Sequence, residues 1–133
     1  MEFFIARGAQ KIGSVETASI DDFYYLRDSI HNALEDGEFG SRFPVFLCRF
    51  EPDEWKVDEL DSLRRELETI VEAFKRLPPE PFDSHWESRA AGSGASYANL
   101  YEVFIDAGGQ PILGRLLDLC RMAERMEAPI NLR

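Results

Sequence analysis

Histidine and cysteine, on which most neutral-pH catalysis and soft-metal binding depend, are nearly missing from this chain, with two of each in 133 residues. Cys48 and Cys120 stand far apart with no CxxC spacing, so neither a disulfide framework nor a thiolate metal site is expected, and both read as ordinary buried thiols. His31 falls on or beside the apolar stripe of a predicted helix, the place of a partly buried structural histidine. His85 lies in a loop without the HExxH or HxE spacing that zinc requires. Long apolar runs are missing too: nothing approaches the ~18–20 residues that span a bilayer, and the opening MEFFIAR has no basic n-region or cleavage site. The expectation is a cytoplasmic protein with no membrane association. Positive charge is also short, with 15 Lys and Arg against 25 Asp and Glu, a formal net charge of −10. That balance repels phosphate backbones, which argues against direct nucleic-acid binding, and it favours a cationic partner while also serving solubility. The glycines of GGQPILG lack both the P-loop lysine and the GxGxxG spacing, so a turn explains them. With no nucleophile, base and orienter in sight, the chain is expected not to be an enzyme and to carry no metal or cofactor.

An apolar content of 44%, with ten Phe, is enough for a real core, and the length suits one domain over residues 1–133. A strand is expected at Glu2–Ala6 and a weaker one near Ile12–Val15, after the punctuation of Gly8. Ser19, with Asp22 in a capping box, opens a helix whose apolar face is Ile20, Phe23, Leu26, Ile30 and Leu34, stopping near Gly37. RFPVFLCRF, Arg42–Phe50, reads as a strand buried on both faces. The clearest helix carries Leu60, Leu63, Leu67, Ile70, Val71, Phe74 and Leu77, with Asp58 placed to cap it. It ends at KRLPPEPFDSHWE, where Pro78 and Pro79 can neither donate a backbone hydrogen bond nor leave Leu77 helical. A long loop then runs to Ser96 through the small residues of AAGSGAS. A strand over Leu100–Ile105, a turn at Gly108 and Gly109, a helix started by Pro111 and a terminal strand in APINLR complete the chain. The fold class is α+β: a single mixed sheet of four to five strands with three helices packed on it, the helix-linked strands suggesting parallel neighbours.

The candidate site is a partner surface rather than a catalytic centre. Glu51, Asp53, Glu54, Asp58, Glu59 and Asp61 fall within eleven positions and are expected to converge at one rim of the sheet. The plainer account is that the later ones serve a helix N-terminus and the earlier ones solvate a loop. Trp55 inside this run is the kind of aromatic anchor that interfaces favour, or else it folds back over the core. Trp86, flanked by His85 and Glu87, poses the same choice: a lid on the sheet, or a side chain presented to a partner by the stiff double proline.

Three stretches carry a resemblance. GSRFPVFLCRF, followed by ELDSLRRELETIVEAFKRLPPEPFDSHWE and then NLYEVFIDAGGQPILGRLLDLCRMAERMEAPINL, resembles the immunity protein 70 family of bacterial toxin and immunity systems, from about Gly40 to the C-terminus. Before Gly40 the likeness is in element order alone. The resemblance implies an antidote that binds and neutralises a cognate toxin domain, and it supplies no catalytic residues. Joined to the charge, it suggests stoichiometric occlusion of a basic, nuclease-type active site. The alternative is a small acidic regulatory or scaffolding domain whose partner is not a toxin. A hydrolase using His85 with Glu87 or Asp83 is the third reading.

Overall fold

The computed structural model describes residues 1–48, 53–79 and 98–133. Its sheet begins as an antiparallel hairpin of β1 (Glu2–Arg7) and β2 (Gln10–Glu16), joined by a two-residue turn in which Gly8 adopts φ +63°. Strand β4 (Ile130–Leu132) lies on the other side of β1, and β3 (Glu54–Trp55) lies beyond it. All three pairings in the order β2-β1-β4-β3 are antiparallel. The α+β class is as expected, but the mixed sheet with parallel neighbours is not what forms. Two segments expected to be strands are helical, so the crossovers that parallel pairing needs do not arise.

Along β1 the side chains alternate, with Phe3 and Ile5 fully buried and Phe4 on the opposite face beneath the Arg133 guanidinium, 4.7 Å from its ring. Three long helices supply most of the rest of the core: α1 (Ile20–Leu34), α3 (Leu60–Lys75) and, after two shorter ones described below, α5 (Ile112–Met126). Ser19 caps α1 as expected, its Oγ accepting from the Asp22 N–H at 3.2 Å. Asp58 does not cap α3. A 3-10 turn, Val57–Glu59, precedes that helix, and Glu59 reaches back to accept the Lys56 N–H at 3.1 Å. Helix α3 stops at Lys75, just before the double proline, and the Leu100 N–H donates to the Leu77 carbonyl at 3.0 Å. The chain therefore re-enters beside the point at which it left. Most of the loop expected between Pro78 and Ser96 lies outside the described residues.

RFPVFLCRF is not a strand: its described part forms a short helix, α2 (Pro44–Cys48). Phe43, Phe46 and Leu47, all buried, are spaced i, i+3, i+4 and share one side of that turn. Its amide donors are taken by two carboxylates. Glu35, the residue after α1, accepts the N–H groups of Gly40 (2.9 Å), Arg42 (2.7 Å) and Phe43 (2.9 Å), while Glu66 of α3 accepts those of Val45 (3.2 Å) and Phe46 (2.9 Å). Pro44, which has no N–H, sits between them as the first helical residue. LYEV of the expected Leu100–Ile105 strand is likewise helical, α4 (Leu100–Val103), because Asn99 caps it by accepting the Glu102 N–H at 3.1 Å and Glu102 accepts the Ala98 N–H at 2.8 Å. Of that expectation only a single bridge survives, between Ile105 and Pro111. The GGQ turn closes on Asp106, whose Oδ1 accepts the N–H groups of Gly108 and Gln110, both at 2.9 Å.

Cys120 is buried, its thiol donating to the Leu60 carbonyl at 3.4 Å, and burial above all pushes its pKa up to about 12. Cys48 is exposed, contrary to expectation, because α2 turns its apolar side inward and leaves this residue outside. Burial works to raise the Glu35 pKa, but the donors His31, Phe43, Arg42 and Gly40 outweigh it and hold the group below its ordinary 4.5. A carboxylate depressed in the folded state contributes stability that is complete above the unfolded value and lost as pH falls through the folded one. Replacing Glu35 by Gln is expected to cost about 2 kcal/mol near pH 7, with the difference from the native chain narrowing below pH 4.5. Denaturant titrations at pH 7 and pH 3 check this; an equal difference at both would show that the ionised form is not what holds the segment. Gly40, at φ +85°, has Cys48 Sγ where a Cβ would go. Gly40→Ala is expected to lower stability by about 1–2 kcal/mol, and pairing it with Cys48→Ala to restore only the steric share, as thermal unfolding would report.

Candidate functional site

The described members of the acidic run do different work residue by residue. Asp53 is exposed with φ +71°, and its carbonyl accepts the Leu132 N–H at 2.8 Å, which ties the start of β3 to β4. Glu54, half-buried, pairs with Asn131 across the sheet. Asp58 is exposed, and half-buried Glu59 is occupied with the Lys56 N–H. Asp61, on the first turn of α3, is held by Arg64 at 2.7 Å and Arg65 at 3.2 Å. Among the described residues Asp53, Glu54 and Asp58 form no ion pair, so they leave net negative charge at this end of the sheet. Glu51, His85, Trp86 and Glu87 lie outside the described residues.

Trp55 is not at the surface. It is 2% exposed, stacked between Phe3 (centroids 5.5 Å apart, planes 8° apart) and Phe46 (5.9 Å, 17°), and its indole N–H donates to the Val45 carbonyl at 3.0 Å. Of the two fates the sequence leaves open, folding back over the core is the one realised. A two-residue strand at the sheet's edge has to bury every second side chain, and the indole finds a hydrogen-bond partner in α2.

Helices α3 and α5 pack side by side, and their carboxylates are largely neutralised by their own arginines. Arg64 contacts Asp61, Glu68 at 2.6 Å and Glu124 at 2.8 Å, and Glu68 foremost, with Glu124, raises its pKa. Arg76 lies 3.7 Å from Glu72 and Arg121 3.8 Å from Asp118. The shallow groove between the two helices, about 390 Å³, is lined by these same paired charges together with Lys75, whose ammonium sits 5.0 Å from the Tyr101 ring. Burial raises the Tyr101 pKa.

Residues 20–39, covering α1 and the start of the loop after it, were not singled out from the sequence. They hold six carboxylates against one arginine, half of the chain's net charge. Asp22 and Glu35 are buried, and Asp21, Asp28, Asp36 and Glu38 are exposed. Ile20, expected on the inner face of α1, is 48% exposed, and Tyr24 and Phe39 are 44% and 38% exposed. The Arg27 guanidinium lies 5.7 Å from the Tyr24 ring and 5.1 Å from the Phe39 ring, and its Nη2 donates to the Leu47 carbonyl. His31, half-buried, binds Glu35 through Nδ1 at 2.8 Å and packs on Phe39, a structural role as expected. A count of charge in a sliding window would have found this region; its exposed aromatics depend on which way α1 faces.

Among the described residues no group of three or more His, Cys, Asp or Glu is placed to hold a metal ion, and no helix is long and apolar enough to cross a membrane. No curated protein and no solved structure matches the chain. The model of a known family, immunity protein 70, does match, and over residues 6–132. The likeness first seen from Gly40 onward thus extends back through α1 and β2 to the end of β1. On a match of nearly its whole length, the chain belongs to the immunity protein 70 family.

Proposed function

We propose that this chain is a stoichiometric antidote: one folded domain that binds a cognate toxin domain in the bacterial cytoplasm and blocks it by covering a basic, nuclease-type active site. The observation that carries the occlusion is the segregation of charge. Asp61, Glu68, Glu72, Asp118 and Glu124 on α3 and α5 are paired with arginines, whereas the exposed Asp21, Asp28, Asp36 and Glu38 and the rim residues Asp53, Glu54 and Asp58 form no ion pair among the described residues. Unpaired carboxylates concentrated on part of a surface produce a field that raises the encounter rate with a cationic cleft, and they mimic the phosphates that such a cleft is built to hold. Glu51, His85, Trp86 and Glu87 are proposed as contact residues on the sequence reading alone. Glu59 and Asp61 support the rim from within, the first by closing the turn and the second by fixing Arg64 and Arg65. No step of chemistry on a substrate enters this account, only exclusion.

Purified toxin domain and antidote, mixed in a stopped-flow instrument at rising salt, test the electrostatic part. The expected result is an association rate that falls steeply with ionic strength and drops roughly tenfold at low salt when Asp53→Asn and Asp58→Lys are combined, with the thermal midpoint unchanged. Asn keeps tolerance of the left-handed backbone at position 53, so folding is preserved. An association rate indifferent to both salt and charge reversal would remove the rim from the binding surface.

A further inference from the structure

We propose that the outer face of α1 at Ile20 and Tyr24, joined by Phe39, is the apolar anchor by which this chain grips a basic partner protein, the toxin domain of the preceding reading, on which this assignment rests. Three of the four large hydrophobic side chains exposed among the described residues are these, the fourth being Val57. Ile20 and Tyr24 are one helical turn apart and so share a face. Tyr24 and Phe39 come together over a single cation, each ring within 6 Å of the Arg27 guanidinium. That guanidinium is fixed from behind by the Leu47 carbonyl, so the two aromatics are held in place before any partner arrives. Aromatic residues and arginine are the types that dominate binding energy at interface centres, and rigid ones lose least entropy on docking.

Charge selects the occupant. Asp21, Asp28, Asp36 and Glu38 are exposed in the same stretch, and none forms an ion pair among the described residues. Of the arginines nearest in sequence, Arg27 donates to the Leu47 carbonyl and Arg42 to the Leu34 carbonyl at 3.2 Å. An apolar centre with a negative surround fits a protein surface that is basic around an apolar pocket. It disfavours a second copy of this chain, whose equivalent face carries the same sign, and it disfavours nucleic acid.

The probe is the toxin encoded beside this chain's own gene, titrated calorimetrically against the native chain, an Ile20→Ser, Tyr24→Ser variant, and separately Asp28→Lys. Both serines replace exposed side chains, and thermal unfolding confirms that the variants fold. The expected result is 1:1 binding by the native chain, roughly 30-fold or more weakening in the double variant, a smaller loss in Asp28→Lys, and amide-exchange protection over residues 20–40 in the complex. Native binding with full affinity retained in the double variant would overturn this surface and leave the toxin reading standing. No binding by the native chain would overturn that reading itself. A native dimer that the double variant dissolves, with toxin affinity unchanged, would assign the face to self-association instead and overturn the proposal.

Discussion

The buried carboxylate of Glu35 holds together the part of the molecule where its elements meet. One oxygen binds His31 and the Gly40 N–H, the other the Arg42 and Phe43 N–H groups, so the chain leaving α1 is turned back on that helix. From there Glu66 takes over the next two free amides and starts α2. Burial opposes the ionised form at both positions. At Glu35 the four donors win, whereas at Glu66 burial prevails over two amides, helped by the nearby charge of Glu35, and the pKa is raised. The signs differ because Glu35 has four donors against its burial, whereas Glu66 has two and also faces the charge of Glu35. With α2 fixed, Phe46 and the Val45 carbonyl are in place to receive Trp55, and Trp55 in turn aligns β3 at the sheet's edge.

The dependence on Glu35 and Glu66 also explains which parts of the fold are legible in the sequence. Helices α1, α3 and α5 carry their own instructions: apolar residues at three and four over four turns, and in α1 a serine cap, give the element whatever surrounds it. The hairpin and the terminal strand are legible for the same local reason. RFPVFLCRF and YANLYEVFID are not, because a short apolar run satisfies either period and Phe and Val favour strands. What decides α2 is a hydrogen-bond acceptor on α3, some twenty residues along the chain, which no window on the sequence contains. The second case was readable in principle. Asn99 with Glu102 three residues on is a helix-start signature, and Leu100, Val103 and Phe104 have the i, i+3, i+4 spacing that follows one.

The acidic site shows a parallel limit. Composition gives the sum of charges, but pairing decides which of them a partner feels. Asp61 belongs to the run that draws attention in the sequence and yet is held by two arginines, while Asp28 and Glu38 stand outside that run with no ion pair among the described residues. Trp55 makes the same point for aromatics. A tryptophan between charged neighbours looks exposed, yet the two-residue period of even a short strand carries it inward.

Rigidity and charge are coupled in this architecture. Tyr24 and Phe39 come from different elements, a helix and a loop, and would ordinarily present independent, mobile rings. They are brought to one guanidinium because Glu35 draws the loop back onto α1 and because Arg27 is fixed to the last turn of α2. The carboxylate that closes the fold therefore also sets the geometry of the exposed aromatics. Removing it, as in Glu35→Gln, would loosen the apolar anchor while leaving the outward-facing Asp21, Asp28 and Glu38 in place. Steering by long-range field and retention by short-range packing would then separate, the first surviving in the association rate and the second lost in the dissociation rate.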